Sequence, residues 1–180
     1  MLAQVFLLAW PYGYPQLYSG YKYTDREASP PLDSNLRTMP ILDDQGNCRA
    51  PWTCEHRHKS VAAMVDFRNQ TNGSFSVQNW WSNGRDVISF SRGRQGYVMI
   101  NFSYEQFNGE LSTSLPDGSY CNIFDRSYNI QSRSCTDGYD VTNGKVRINI
   151  GAQSAVVLLR KSQVLQKSLK NEKNKLHSRL

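Results

Sequence analysis

The segment Cys54-Glu55-His56-Arg57-His58 gathers a thiol, a carboxylate and two imidazoles within five residues, the groups from which metal sites and acid–base catalysts are built. The spacing argues against both. On a helix, His56 and His58 are two positions apart and face different directions, whereas paired imidazoles that share a metal from one helix stand four apart. Packing and capping at a helix start is the reading they support, so no metal site is assigned. The stretch Phe90-Ser91-Arg92-Gly93-Arg94-Gln95-Gly96 has the composition of a phosphate loop. It joins two strand patterns and opens no helix, so the helix dipole that such loops exploit is missing. It reads as a hairpin turn with two exposed arginines. Trp80, Trp81 and Tyr97 are candidate sugar-stacking rings if exposed, although adjacent tryptophans entering a sheet more often place one ring in the core. No Ser-His-Asp or Cys-His set stands out, and no catalytic residue is assigned.

The four cysteines form two close pairs, Cys48 with Cys54 and Cys121 with Cys135. Neither has the two-residue spacer of a zinc site, and disulfides are the better reading. Three Asn-X-Ser/Thr sequons, at Asn69, Asn72 and Asn101, fit the oxidising compartment that the cysteines favour. The formal charge is +6. Of the 21 Lys and Arg, seven lie from Arg160 onward, beside the single acid Glu172, which leaves a body with fourteen charges of each sign. The basicity therefore belongs to the tail. No aromatic residue interleaves that tail to stack on bases, so nucleic acid is not an expected partner.

These residues need elements to hold them. Met1 to Trp10 is almost wholly apolar and is stopped by Pro11 and Gly13. It is about half the length of a membrane span, and no basic residue precedes Lys22 as a secretory leader requires. Neither a membrane partner nor a signal peptide is expected. The run reads as a strand buried on both faces or as a core helix fragment. Residues 19 to 53, rich in Ser, Asp, Asn and Pro, form a long loop that Cys48 and Cys54 would pin near its end. A helix is predicted from about Cys54 to Asn69, capped by Thr53, with Val61, Met64, Val65 and Arg68 on one face. From residue 75 the period becomes two: strands at 86–91, 97–102 and 145–150, turn signals at Asp117-Gly118 and Asn143-Gly144, and a more buried last strand in Ser154 to Leu159. An antiparallel β-sandwich of about ninety residues follows.

The stretches FLLAWPYGYP, CRAPWTCEHRHKSVAAMVDFRNQT, NWWSNGRDVISFSRGRQGYVMIN and LPDGSYCNI, in this order and spacing, resemble the C-terminal part of an α-amylase of glycoside hydrolase family 13, in the animal-type branch and its bacterial relatives. The resemblance runs from about residue 2 to 163. It implies a mainly β fold: a C-terminal antiparallel Greek-key β-sandwich over residues 75–163, preceded by the last β/α unit of a (β/α)8 barrel over residues 1–70. Leu2 to Trp10 would be barrel strand eight, Cys54 to Asn69 helix eight, and residues 164–180 a basic polar tail. Cys48–Cys54 and Cys121–Cys135 match disulfides of the family.

The activity implied is endo-hydrolysis of α-1,4-glucans with retention, by a nucleophile, an acid–base and a third carboxylate that all precede this segment. The chain by itself is then expected to be inactive. The family's calcium ligands also precede it, and Asp25, Glu27, Asp33, Asp43 and Asp44 match no catalytic motif. Chloride-dependent members carry a basic residue three positions beyond the Gly of PYG. That position is Gln16, which is neutral, so the parent is expected to be chloride-independent. The resemblance further implies an extracellular monomer acting on α-glucan. The alternative is a stand-alone, noncatalytic β-module that binds starch or a protein partner through exposed aromatics.

Overall fold

The computed structural model describes residues 1–125, 127–129 and 131–164. The basic tail therefore lies, from residue 165 on, outside the described residues.

The apolar opening is helix α1, Leu2–Ala9, not a strand. As a strand it would leave N–H and C=O groups unpaired on both edges, with no barrel strand beside it; a helix closes those bonds internally. Val5, Leu8 and Ala9, spaced by three and four, are buried together, and Pro11, with no N–H to donate, follows the last turn. The assignment to barrel strand eight is thus corrected. A single 3₁₀ turn, Glu55–Arg57, precedes helix α2, Lys59–Gln70, so the second helix begins five residues later than its pattern implies. Cys54 and His58 explain the delay: φ of 48° at Cys54 is left-handed and ψ of 133° at His58 is extended, conformations that a right-handed helix cannot include. The cap is His58, whose Nδ1 accepts from Ser60 N at 3.3 Å, and Thr53 instead donates to Glu55.

The rest is antiparallel β: β1 Val77–Ser82, β2 Val87–Arg92, β3 Gly96–Asn101, β4 Phe107–Ser112, β5 Gly118–Asn122, β6 Gly138–Thr142, β7 Lys145–Ile150 and β8 Ser154–Gln163. They form one sheet in the order β1-β2-β3-β8-β5-β6-β7-β4. The sequence-based sandwich becomes a single sheet bent round until its ends nearly meet. β5, β6 and β7 pair in succession and β4 lies beside β7, which is a Greek key. The end strand β1 reaches the β4 side through side chains: Trp81 packs edge-on to Phe107, and Asn79 Nδ2 donates to Ser114 Oγ at 2.7 Å. Asn143 and Gly144, both at positive φ, make the tight β6–β7 turn that the Asn-Gly pair predicts.

Bending the sheet creates two cores. Inside lie Val87, Tyr97, Met99, Leu111, Tyr120, Val146, Ile148, Val156 and Leu158. Outside, Phe90, Val98, Ile100, Val157 and Leu159 meet Val5, Leu8, Val61, Met64 and Phe67 of the two helices. Strand β3 and Ala155 to Leu159 of β8 therefore read as nearly continuous apolar runs, because both faces are covered there. Gly96 sets how closely α2 approaches: a Cβ there would stand 2.4 Å from the Phe67 ring.

Candidate functional site

Two features at the helix–sheet junction have the chemistry of a site. The first is an aromatic ledge. β1 carries a bulge between Gln78 and Trp81, with Asn79 at φ 51° and its amide bonded to Ser91 and Ser114. Trp81 turns towards the inner core. Trp80 turns outward and stacks on Phe90, ring centroids 6.0 Å apart, with the Trp10 edge at 5.7 Å and Phe6 behind. Trp80 keeps 52% of its surface exposed, so one apolar ring sits rigidly supported in solvent. Tyr97 does not join it. The ring is fully buried in the inner core, and desolvation pushes the phenol pKa well up, opposed only in part by the Ser89 hydroxyl. It offers no face to a sugar, which corrects its candidacy.

The second feature is a pair of arginines at the C-terminal end of α1. Arg92, read from sequence as exposed, is 1% exposed. Its guanidinium donates to the carbonyls of Ala9, Thr71 and Ser74. Burial, then repulsion from Arg68, lowers its pKa to about 10, which leaves it cationic at neutral pH. Arg68 in turn donates to the carbonyls of Trp10, Tyr12 and Gly13. Together they satisfy carbonyls that α1 leaves open and place positive charge at the negative end of its dipole. The other arginine of the turn, Arg94, is exposed as expected. Sequence reasoning missed the clamp, because Arg92 stands at the end of its strand pattern, where a turn arginine is ordinarily exposed.

The remaining candidates lie apart. Gln16 is exposed on the segment after α1, between Pro15 and Leu17. The Glu55 carboxylate accepts from Gly20 N and Thr53 Oγ1, bonds that lower its pKa and fasten the start of the long loop to its end. His58 is the cap, and His56 Nδ1 is buried with no partner among the described residues. Among the described residues no group of three His, Cys, Asp or Glu side chains converges on a metal position. Asp33 and Asp43 each fold a short turn: Asp33 Oδ1 accepts from the N–H groups of Asn35 and Arg37, and Asp43 Oδ1 from those of Gln45 and Asn47. Both disulfides are formed, Cys48–Cys54 with Cα atoms 6.1 Å apart and Cys121–Cys135 with 5.7 Å.

Residues 80–161, within β1 to β8, match the family model described as the alpha amylase C-terminal all-beta domain. The chain therefore carries an alpha amylase C-terminal all-beta domain. The alpha-amylase of Streptomyces violaceus is 43% identical over 122 residues, which are 68% of this chain and 20% of that protein. The alpha-amylase of Tenebrio molitor is 39% identical over 155 residues, 84% of this chain and 32% of its own length. An alpha-amylase-related protein of Drosophila atripex is 38% identical over the same length. Among solved structures, alpha-amylase I of Eisenia fetida aligns with a TM-score of 0.71 at 28% identity, covering 88% of this chain and 34% of that one. The chain thus spans about a fifth to a third of the curated alpha-amylases and related proteins it matches.

Proposed function

We propose that this chain is the C-terminal portion of an alpha-amylase whose complete form hydrolyses α-1,4-glucosidic bonds of starch and glycogen with retention. One observation carries the reading: similarity extends over 155 residues, so the helical segment as well as the β-domain resembles the relatives. In a retaining glycosidase two carboxylates stand about 5–5.5 Å apart across the scissile bond, one attacking the sugar and the other protonating the leaving oxygen. In this reading those carboxylates and the calcium ligands belong to the portion that precedes residue 1. The 180 residues supply no acid, base or nucleophile; they supply the β-domain that packs against the barrel's end. Gln16 leaves the parent without a cation for chloride, the two disulfides fit an extracellular protein, and the complete enzyme acts on α-glucan as a monomer. A second reading, a noncatalytic starch-binding module, has the exposed Trp80 ring in its favour.

The test is reducing-sugar release from starch by the complete protein and by the purified 180-residue chain, with and without chloride. Release by the complete protein alone, unchanged by chloride, is expected. Release by the short chain would overturn the assignment of chemistry to the preceding portion, and a several-fold chloride activation would overturn the role given to Gln16.

A further inference from the structure

The three sequons occupy different environments. Asn101 is fully buried, and its Nδ2 donates to the carbonyls of Glu105 and Gly151, so the nitrogen that would carry a glycan already holds a loop in place. Asn69 lies in the last turn of α2, and Thr71, the hydroxyl of its sequon, is fully buried and donates to the Phe67 carbonyl. Asn72 differs from both. It is exposed on the turn after α2, where its backbone N–H donates to the Asn69 carbonyl at 3.4 Å, and among the described residues no hydrogen bond engages its side-chain amide. The turn is rigid on its far side, because the Ser74 carbonyl accepts from both Nε and Nη2 of the buried Arg92. Asn72, like Asn69, lines a cavity of about 480 Å³ with Tyr14, Pro15, Leu17 and Phe75. Tyr14 and Phe75 are strongly exposed there, and their rings offer apolar surface that the C–H face of a sugar covers.

We propose that Asn72 is an N-glycosylation site of this protein, whose first sugars lie over Phe75 and Tyr14. The proposal rests on the extracellular reading above, since the donor, a lipid-diphosphate-linked oligosaccharide, is met in the secretory lumen. In the transfer, Asn72 Nδ2 forms a C–N bond to the anomeric carbon. The C–O bond to the diphosphate breaks, the lipid diphosphate leaves with the electron pair, and one amide proton is released. A glycan of this bulk is compatible with a surface turn and not with the Asn101 position.

The experiment supplies a heterologous leader to the full chain, so that entry into the lumen does not depend on the parent being secreted. Microsome-imported, protease-protected chain is then treated with N-glycosidase in heavy-oxygen water and mapped by peptide mass. The expected result is one glycan per chain, with the Asn-to-Asp conversion at Asn72. The step should be abolished by Asn72→Gln and by Ser74→Ala, and kept by Asn69→Gln. An imported chain without a glycan, or conversion at Asn69 or Asn101 in place of Asn72, overturns the site. Failure of the extracellular reading shows separately, as absence of the parent from the medium under its own leader.

Discussion

In strand β3 and in Ala155 to Leu159 of β8 every residue is buried, while in the loop from residue 19 to 54 most are exposed, and the two regions are held by different means. The sheet is stabilised by apolar contact on both faces: the inner core on one side and the helices on the other. The loop has no such cover. It is held by Asp33 and Asp43 folding their own turns, by Glu55 joining its two ends, and by Cys48–Cys54. Burial scales with area and is insensitive to pH, whereas carboxylate-centred hydrogen bonds titrate.

The largest effect falls where helix meets sheet. Phe67→Ala empties the contact above Gly96 and is expected to lower stability by about 3–5 kcal/mol, measurable as a fall in the urea midpoint. A loss confined to the helices, with the sheet transition unmoved, would show that the outer core is not shared. Arg92→Leu removes a buried cation that holds three carbonyls and should cost about 3 kcal/mol, with α1 exchanging its amides faster. Arg92→Lys should recover only part of this, because an ammonium lacks the planar fork. An unchanged α1 exchange rate in Arg92→Leu would assign the clamp no role.

The disulfides separate the regions. Replacing Cys121 and Cys135 by Ser opens a longer loop inside the β-domain, with an expected loss of about 3 kcal/mol in the global transition. Replacing Cys48 and Cys54 opens a shorter one, and should cost about 2 kcal/mol and loosen residues 19 to 54 while the sheet stays protected. The smallest effect is that of acid. The folded pKa of Glu55 lies below its unfolded value, so its contribution is present above the unfolded pKa and lost as pH falls through the folded one. In acid, as that carboxylate is protonated, the loop ends should loosen, and Glu55→Gln should remove that pH dependence. A loop whose protection is the same at pH 3 and pH 7 would contradict the role given to the carboxylate.

Which parts were legible in the sequence follows from the same contrast. Period-two alternation in Lys145 to Ile150 and the Asn143-Gly144 turn depend on local chemistry, and both were readable. The helical state of Leu2 to Ala9 was not, since a short apolar run satisfies a buried strand and a buried helix equally; only its neighbours decide. Arg92 looked like a turn residue, because the carbonyls it satisfies come from residues 9, 71 and 74, which are distant or separate in the chain. Tyr97 looked available for stacking because alternation says which residues share a face and not which face is inside. Of the three candidate rings, Trp80 is the one that the bulge at Asn79 turns outward.

The most direct measurement is the intact mass of the native protein, captured from its source with an antibody against the β-domain and assayed for starch hydrolysis. A species several times heavier than 20.6 kDa that carries the activity is the predicted result. A native species of 20.6 kDa, with no heavier form present, would contradict the assignment to a complete alpha-amylase.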